Sequence, residues 1–259
     1  MSDRGGGPLN LLITGAASGI GAGLAQELAR AGNHVIISDL QQRDCEAVAE
    51  QIRSRGGSAD AVAVDVTSDA SVATAFASMP RPVDVLVNDA GLQHVAPLID
   101  FTMAKWDYLV QVMLVGSARL TRAVLPGMRE RRFGRIVNIG SIHSLVASPN
   151  KSAYVAAKHG LLGLTRTIAL ETADVDITIN TICPSYVKTP LVDKQIGDQA
   201  RTRGIPESDV IKEIMLKPMP KGVFIGIDEL AAITTFLMSP AARNISGQAI
   251  VVDGGWTAQ

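Results

Sequence analysis

Seven short runs rich in valine and isoleucine recur along the chain: residues 9–14, 34–39, 61–65, 83–88, 135–140, 177–183 and 248–253. Most are apolar at nearly every position rather than at every second one. A strand apolar on both sides must be covered on both sides, as in a parallel sheet held between helices. The intervening segments supply such helices. Residues 19–31, 43–55, 103–131, 152–172 and 228–238 space their apolar positions at three and four, as one buried helix face requires. Strand, helix and strand in repetition predict an α/β chain with one doubly wound parallel sheet of about seven strands and helices on both faces. The chain reads as one domain from residue 9 to residue 259, after a flexible glycine-rich segment at residues 1–8. Residues 188–222 break the rhythm with prolines, charges and short helical pieces such as 209–216. In such sheets a long excursion past the end of a strand often covers a ligand, so this stretch is expected to be a substrate lid.

Composition removes several function classes. Hydrophobic residues make up 47% of the 259, enough for a sizeable core. The 24 Lys and Arg stand against 25 Asp and Glu, so no basic footprint exists for nucleic acid or an anionic membrane, and neither is expected as a partner. Cys45 and Cys183 form no CxxC pair, which argues against a disulfide framework or a zinc finger. His34, His94, His143 and His159 are scattered and make no HExxH, so no metal site is expected. The polar start is unlike a signal peptide, and no uninterrupted apolar run reaches membrane-spanning length; the expected location is cytoplasmic.

The first apolar run leads directly into Thr14-Gly15-Ala16-Ala17-Ser18-Gly19-Ile20-Gly21 and then a helix. Glycines there let the backbone turn sharply and approach a pyrophosphate, while the helix start offers unpaired N–H groups and the positive end of its dipole. The spacing is GxxxGxG, and no Lys-Ser/Thr follows to make a nucleotide-triphosphate loop. Asp39 ends the second run, where a carboxylate accepts both hydroxyls of an adenosine ribose and repels a 2′-phosphate, favouring NAD over NADP. Asp65 and Val66, after the third run, are placed to meet the adenine. This is the Rossmann type of dinucleotide-binding arrangement.

Tyr154 and Lys158 lie four apart and share one helix face. Alone, that spacing is as common on a helix surface as in a site. In a cleft, an ammonium beside a phenol is expected to lower its pKa towards working pH and let it take the proton of an alcohol. Ser141, just past the fifth run, stands where ligands gather in such sheets and is a donor for the reacting oxygen.

The glycine loop, Asn88-Asp89-Ala90-Gly91, Ser141 and the Tyr154/Lys158 pair together resemble the short-chain dehydrogenase/reductase family over essentially the whole chain. The runs 93–97, 145–160, 189–196 and 252–259 are similar to the bacterial branch of that family that oxidises D-3-hydroxybutyrate. The resemblance implies an NAD-dependent oxidoreductase interconverting (R)-3-hydroxybutyrate and acetoacetate, or another small secondary alcohol and its ketone. It implies Tyr154 as general acid/base, Lys158 tuning it and holding the nicotinamide ribose, and Ser141 polarising the substrate oxygen. NAD would meet Gly15, Ser18, Gly19, Ile20, Gly21, Asp39, Asp65, Val66, Asn88, Ala90, Gly91, Tyr154, Lys158, Pro184, Val187 and Thr189. Substrate would meet Gln93, Ser141, His143, Lys151, Tyr154, Tyr186, Gln195 and Trp256, a set with a cation and several donors suited to a small carboxylate. The resemblance also implies a homotetramer.

Three positions depart from the family pattern. Met113 stands where the family usually has an Asn that helps hold a relay water, and a thioether cannot donate. Asp89 replaces the second Asn of Asn-Asn-Ala-Gly and adds a negative charge beside the cofactor cleft. Ser185 replaces the Gly that usually follows Pro184. A rival expectation is a protein that binds the cofactor without turning it over.

Overall fold

The computed structural model describes residues 7–258, so most of the expected flexible start lies outside the described residues. Seven parallel strands form one sheet: β1 (Asn10–Thr14), β2 (His34–Asp39), β3 (Ser58–Ala63), β4 (Val85–Asn88), β5 (Phe133–Ile139), β6 (Asp176–Pro184) and β7 (Ala249–Val252). Their order is β3-β2-β1-β4-β5-β6-β7. The chain winds outward from β1 in one direction and from β4 in the other, so a crevice opens where β1 and β4 part. The helices between strands are α1 (Gly19–Arg30), α2 (Gln42–Ser54), α3 (Asp69–Ser78), α4 (Met103–Val110), α5 (Gly116–Glu130), α6 (Ser152–Glu171), α7 (Pro190–Arg203), α8 (Glu207–Asp209) and α9 (Ile227–Met238).

Each face of the sheet has its own core. Leu11, Ile13, Val35 and Ile37 point to the side covered by α1, α2 and α9, where Leu24, Leu28, Val48, Ile52, Leu230 and Leu237 meet them. Leu12, Ile36, Leu86 and Ile136 point to the other side, against Leu109, Leu120, Val124 and Met128 of α4 and α5. This alternation along strands buried on both faces explains their continuous apolarity. The helical run 103–130 is long enough to cross a membrane. Its apolar stripe lies instead under the sheet, which makes it a core helix.

Two elements differ from the sequence reading. β3 is Ser58–Ala63 rather than 61–65, since its register is fixed by pairing His34 with Ser58 and Asp39 with Ala63. The long helix read at 103–131 is interrupted by a π-helical turn, Gln111–Val115, at the Met113 position. Such turns shift side chains out of the regular helical register and often occur at functional sites. Residues 188–222 hold α7, α8 and a second π-helical turn, Val210–Met215. They pack a small core of Val192, Ile196, Val210 and Met215 beside Tyr186. A parallel bridge between Val187 and Ile225 ties the two ends of this segment together.

Candidate active site

The C-terminal ends of β1, β2, β4, β5 and β6 border a cleft of about 640 Å³ that runs from Asp39 to Trp256. At its β1 end, Gly15 adopts φ +66° and lies so close to the next strand that a Cβ would come 2.8 Å from Ala90 Cα. Thr14 Oγ1 accepts the backbone N–H groups of Asp89 and Ala90, each at 3.2 Å, and locks the ends of β1 and β4 together. Gly19 also has positive φ, and the space above it is open. Ser18, which precedes α1, makes no side-chain capping bond. The first turn of α1 therefore faces the cleft with backbone donors available to an anion. Asp39 sits beside this loop, its Oδ2 accepting Ala17 N–H at 3.2 Å and its Oδ1 accepting Leu40 N–H at 2.8 Å. Open donors, a close-fitting glycine turn and a strand-end carboxylate fit a dinucleotide.

At the other end, Ser141 follows β5 in extended conformation, and its Oγ accepts His143 N–H at 3.1 Å. Ser144 Oγ accepts Ser141 N–H at 3.3 Å, so the turn fixes the serine reciprocally. The Ser141 side chain also acts on the Tyr154 phenol, favouring its ionised form. Lys158 Nζ is buried, donates to Ile139 O at 2.6 Å and stands 5.6 Å from the Tyr154 ring centroid. The start of α6 is pinned by Trp106 Nε1, which donates to Ser152 Oγ at 3.2 Å. Asn150, at φ +65°, offers its carbonyl to Ala96 N–H at 2.9 Å, fastening the 93–97 loop to the turn that carries Lys151. Asn is among the few non-glycine residues that tolerate this conformation.

The electrostatics correct one expectation. Tyr154 is pushed up to about 12 by burial, which outweighs the opposing effect of Ser141. Lys158 does not lower it as the four-residue spacing had suggested. Lys158 is itself shifted down by burial, with Asp89 and Cys183 opposing. The free protein thus presents a phenol that donates, not a phenolate. His143 is lowered to about 4, by burial first and by the Lys151 charge second, and stays neutral at pH 7. Lys151 Nζ donates to its Nε2 at 3.4 Å. His143 Nδ1 and Gln93 Oε1 are buried without a hydrogen-bond partner. Unpaired polar atoms at a cleft are costly unless a ligand meets them.

Of the expected residues, the cleft brings together Gly15, Ser18, Gly19, Ile20, Asp39, Asp65, Val66, Ala90, Gly91, Gln93, Ser141, His143, Lys151, Tyr154, Lys158, Tyr186, Val187, Thr189, Gln195 and Trp256. Three expected residues do not line it. Asn88 turns into the interior, its Nδ2 donating to Asn138 Oδ1 at 2.8 Å, in a chain continued by Asn138 to Thr165. Gly21 lies beneath the loop, where a Cβ would meet Gly15 O at 2.6 Å. Pro184 is buried as the last residue of β6.

The three departures resolve differently. Ser185 has no positive φ, and its hydroxyl donates to Met219 Sδ at 3.2 Å, so this position does not need glycine. Met113 is 1% exposed and turned towards Gly91, while its carbonyl accepts Ser117 Oγ at 2.8 Å. Gln111 is exposed and offers the relay no replacement. Asp89 lines the cleft, as do Thr14, Ser38 and Tyr108, which the sequence reading had not assigned to the site. Position at the end of a strand was the only signal for Thr14 and Ser38.

Trp256 forms one wall, with ring centroids 6.1 Å from Tyr186 and 6.4 Å from His143. It is held by Asp253, whose carboxylate accepts Gly255 N–H, Thr257 N–H and Thr257 Oγ1 at 2.9, 2.7 and 2.6 Å. Those bonds keep Asp253 below the usual carboxylate range against the opposing effect of burial.

A family model described as enoyl-(acyl carrier protein) reductase matches residues 15–257. The D-beta-hydroxybutyrate dehydrogenase of Rhizobium meliloti is 44% identical over 253 residues, 96% of this chain and 98% of that protein. The D-beta-hydroxybutyrate dehydrogenase of Cupriavidus necator is 43% identical over 96% of this chain and 97% of that protein. Among solved structures, a gluconate 5-dehydrogenase from Burkholderia cenocepacia in complex with NADP and tartrate is 34% identical with a TM-score of 0.88, covering 98% of this chain and 96% of that one.

Proposed function

Because this chain belongs to the short-chain dehydrogenase/reductase family, we propose that it interconverts (R)-3-hydroxybutyrate and acetoacetate with NAD as the redox partner. The observation that carries the substrate assignment is the Lys151–His143–Gln93 group beside Tyr154. A cation with spare donors, flanked by a neutral His143, suits a small carboxylate better than a bulky neutral alcohol. The 43–44% identity to two D-beta-hydroxybutyrate dehydrogenases supports the same reading.

NAD is favoured over NADP by charge. Asp39 faces the adenosine end, and among the described lining residues the basic side chains are Lys151 and Lys158, both at the opposite end. Nothing cationic there receives a 2′-phosphate. A bound nicotinamide supplies the site that accepts or gives the hydride. The chain's own residues handle the proton. Tyr154 exchanges it with the substrate oxygen, Ser141 holds that oxygen by hydrogen bonding, and Lys158 keeps a charge behind the phenol. A buried phenol protonated at neutral pH is ready to donate to a ketone, whereas alcohol oxidation first requires that proton to leave. Residues 188–222 act as the lid, presenting Gln195 to the substrate.

Steady-state rates with NAD and NADP on a panel of short 3-hydroxy acids and neutral secondary alcohols test this. The expected result is preference for NAD and for the four-carbon acid, with oxidation accelerating as pH rises and ketone reduction not doing so. Preference for a neutral polyol, or for NADP, contradicts it. A homotetramer is also proposed, supported by Leu170, Phe236 and Val251, which are exposed apolar residues on α6, α9 and the edge strand β7. Light scattering that gives a monomer contradicts that part.

A further inference from the structure

Asp89 stands between the two ends of the cleft with no role in the reading above. Helix α1 starts without a side-chain cap from Ser18, and its first turn carries no acidic residue. A carboxylate arrives from across the crevice: Asp89 Oδ2 lies 2.8 Å from the point a Cβ on Gly21 would occupy. The Asp89 main chain is fixed there, because its backbone N–H and that of Ala90 are both held by Thr14 Oγ1. An internal carboxylate therefore sits beneath the glycine turn at the start of α1, in the wall of the cleft that a dinucleotide would fill.

The groups around it pull in opposite directions. Lys158 from α6 favours the charged carboxylate, Asp39 from the end of β2 opposes it, and Tyr154 from α6 is itself held in the neutral form partly by Asp89. From α1 only the backbone of Gly21 faces it. Burial outweighs the favourable charge of Lys158 and pushes the carboxyl up to about 7. A group that already exchanges its proton near neutrality must hold that proton more tightly when a second anion arrives beside it. An Asn at this place has nothing to exchange.

We propose that Asp89 is a proton-exchanging residue of the dinucleotide site: the cofactor binds with Asp89 protonated, and binding takes up a proton from solvent. The proposal rests on the dinucleotide reading of the cleft. Titration calorimetry of the full chain with NAD, between about pH 6 and about pH 8.5 and in phosphate and Tris buffers, tests both. The native protein is expected to lose affinity with rising pH, approaching about tenfold per pH unit on the alkaline side, with a matching buffer-dependent heat of proton uptake. Asp89→Asn, which keeps the size of the side chain and removes its ionisation, is expected to bind with no pH slope and no uptake. Asp89→Ser gives the same comparison if the Asn variant folds poorly, as judged by its melting curve. A flat native profile overturns the proposal, and so does a slope that survives in the variants. Failure of the native protein to bind NAD at any pH overturns the dinucleotide reading and the proposal with it.

Discussion

At the Asp39 end the cleft is shaped by backbone: a glycine turn at positive φ, open N–H groups at the start of α1, and one carboxylate held by two main-chain donors. At the Tyr154 end it is shaped by side chains from separate segments: Gln93 after β4, Ser141 and His143 after β5, Lys151 to Lys158 around the start of α6, Gln195 on α7 and Trp256 after β7. A site made of backbone tolerates little variation in its glycines and recognises what is common to all dinucleotides. A site made of side chains is exchangeable residue by residue, and it is where relatives acting on different substrates can diverge. The two ends should therefore fail separately when mutated.

Gly15→Val is the sharpest way to break the backbone end. It puts a branched side chain at φ +66° and within 2.8 Å of Ala90 Cα, and it is expected to weaken NAD binding by about a hundredfold or more. Calorimetry gives the affinity, and a melting curve separates lost binding from lost folding. Lys151→Met breaks the other end alone. Removing a charged donor is worth about 1.5–3 kcal/mol, so kcat/KM should fall about tenfold to a hundredfold through KM, with NAD affinity unchanged. If NAD affinity falls equally, the division between the two ends is wrong.

How much of this was readable from the sequence follows the same division. The glycine turn and the Tyr154/Lys158 pair are local patterns, and the cleft contains both. The inward turn of the Asn88 side chain was not legible because its partner Asn138 is fifty residues away, and only the pairing of β4 with β5 turns the two side chains towards each other. Helix α3 escaped notice because it is alanine-rich and buries only Val72 and Ala75, too thin a stripe to show a period. Helix α7 did so because its apolar anchors, Val192 and Ile196, pack on a local core and not on the sheet. The direction of the Tyr154 shift was not legible either: spacing reveals a nearby ammonium but not the burial that outweighs it.

Two smaller effects sharpen the picture. Met113→Asn should leave a buried amide among apolar neighbours, costing about 1–3 kcal/mol and lowering Tm by a few degrees. An unchanged Tm would mean that the π-helical turn gives the amide a partner. The last effect concerns Asp253. Its folded pKa lies below the ordinary value, so the stabilisation of the Trp256 turn is complete above that ordinary value and is lost as pH falls through the folded one. Trp256 fluorescence, read in a Trp106→Phe background, should stay constant across neutral pH and change only in acid. A change near pH 7 would point to a different group.

One comparison is decisive: NADH formation from (R)-3-hydroxybutyrate and NAD by the native protein and by Tyr154→Phe, with the NAD dissociation constant measured for both. Turnover that falls by about 10²–10⁴ in the variant, at unchanged NAD affinity, is the predicted result. NAD binding by the native protein without turnover on any short 3-hydroxy acid, or equal turnover by the variant, would contradict it.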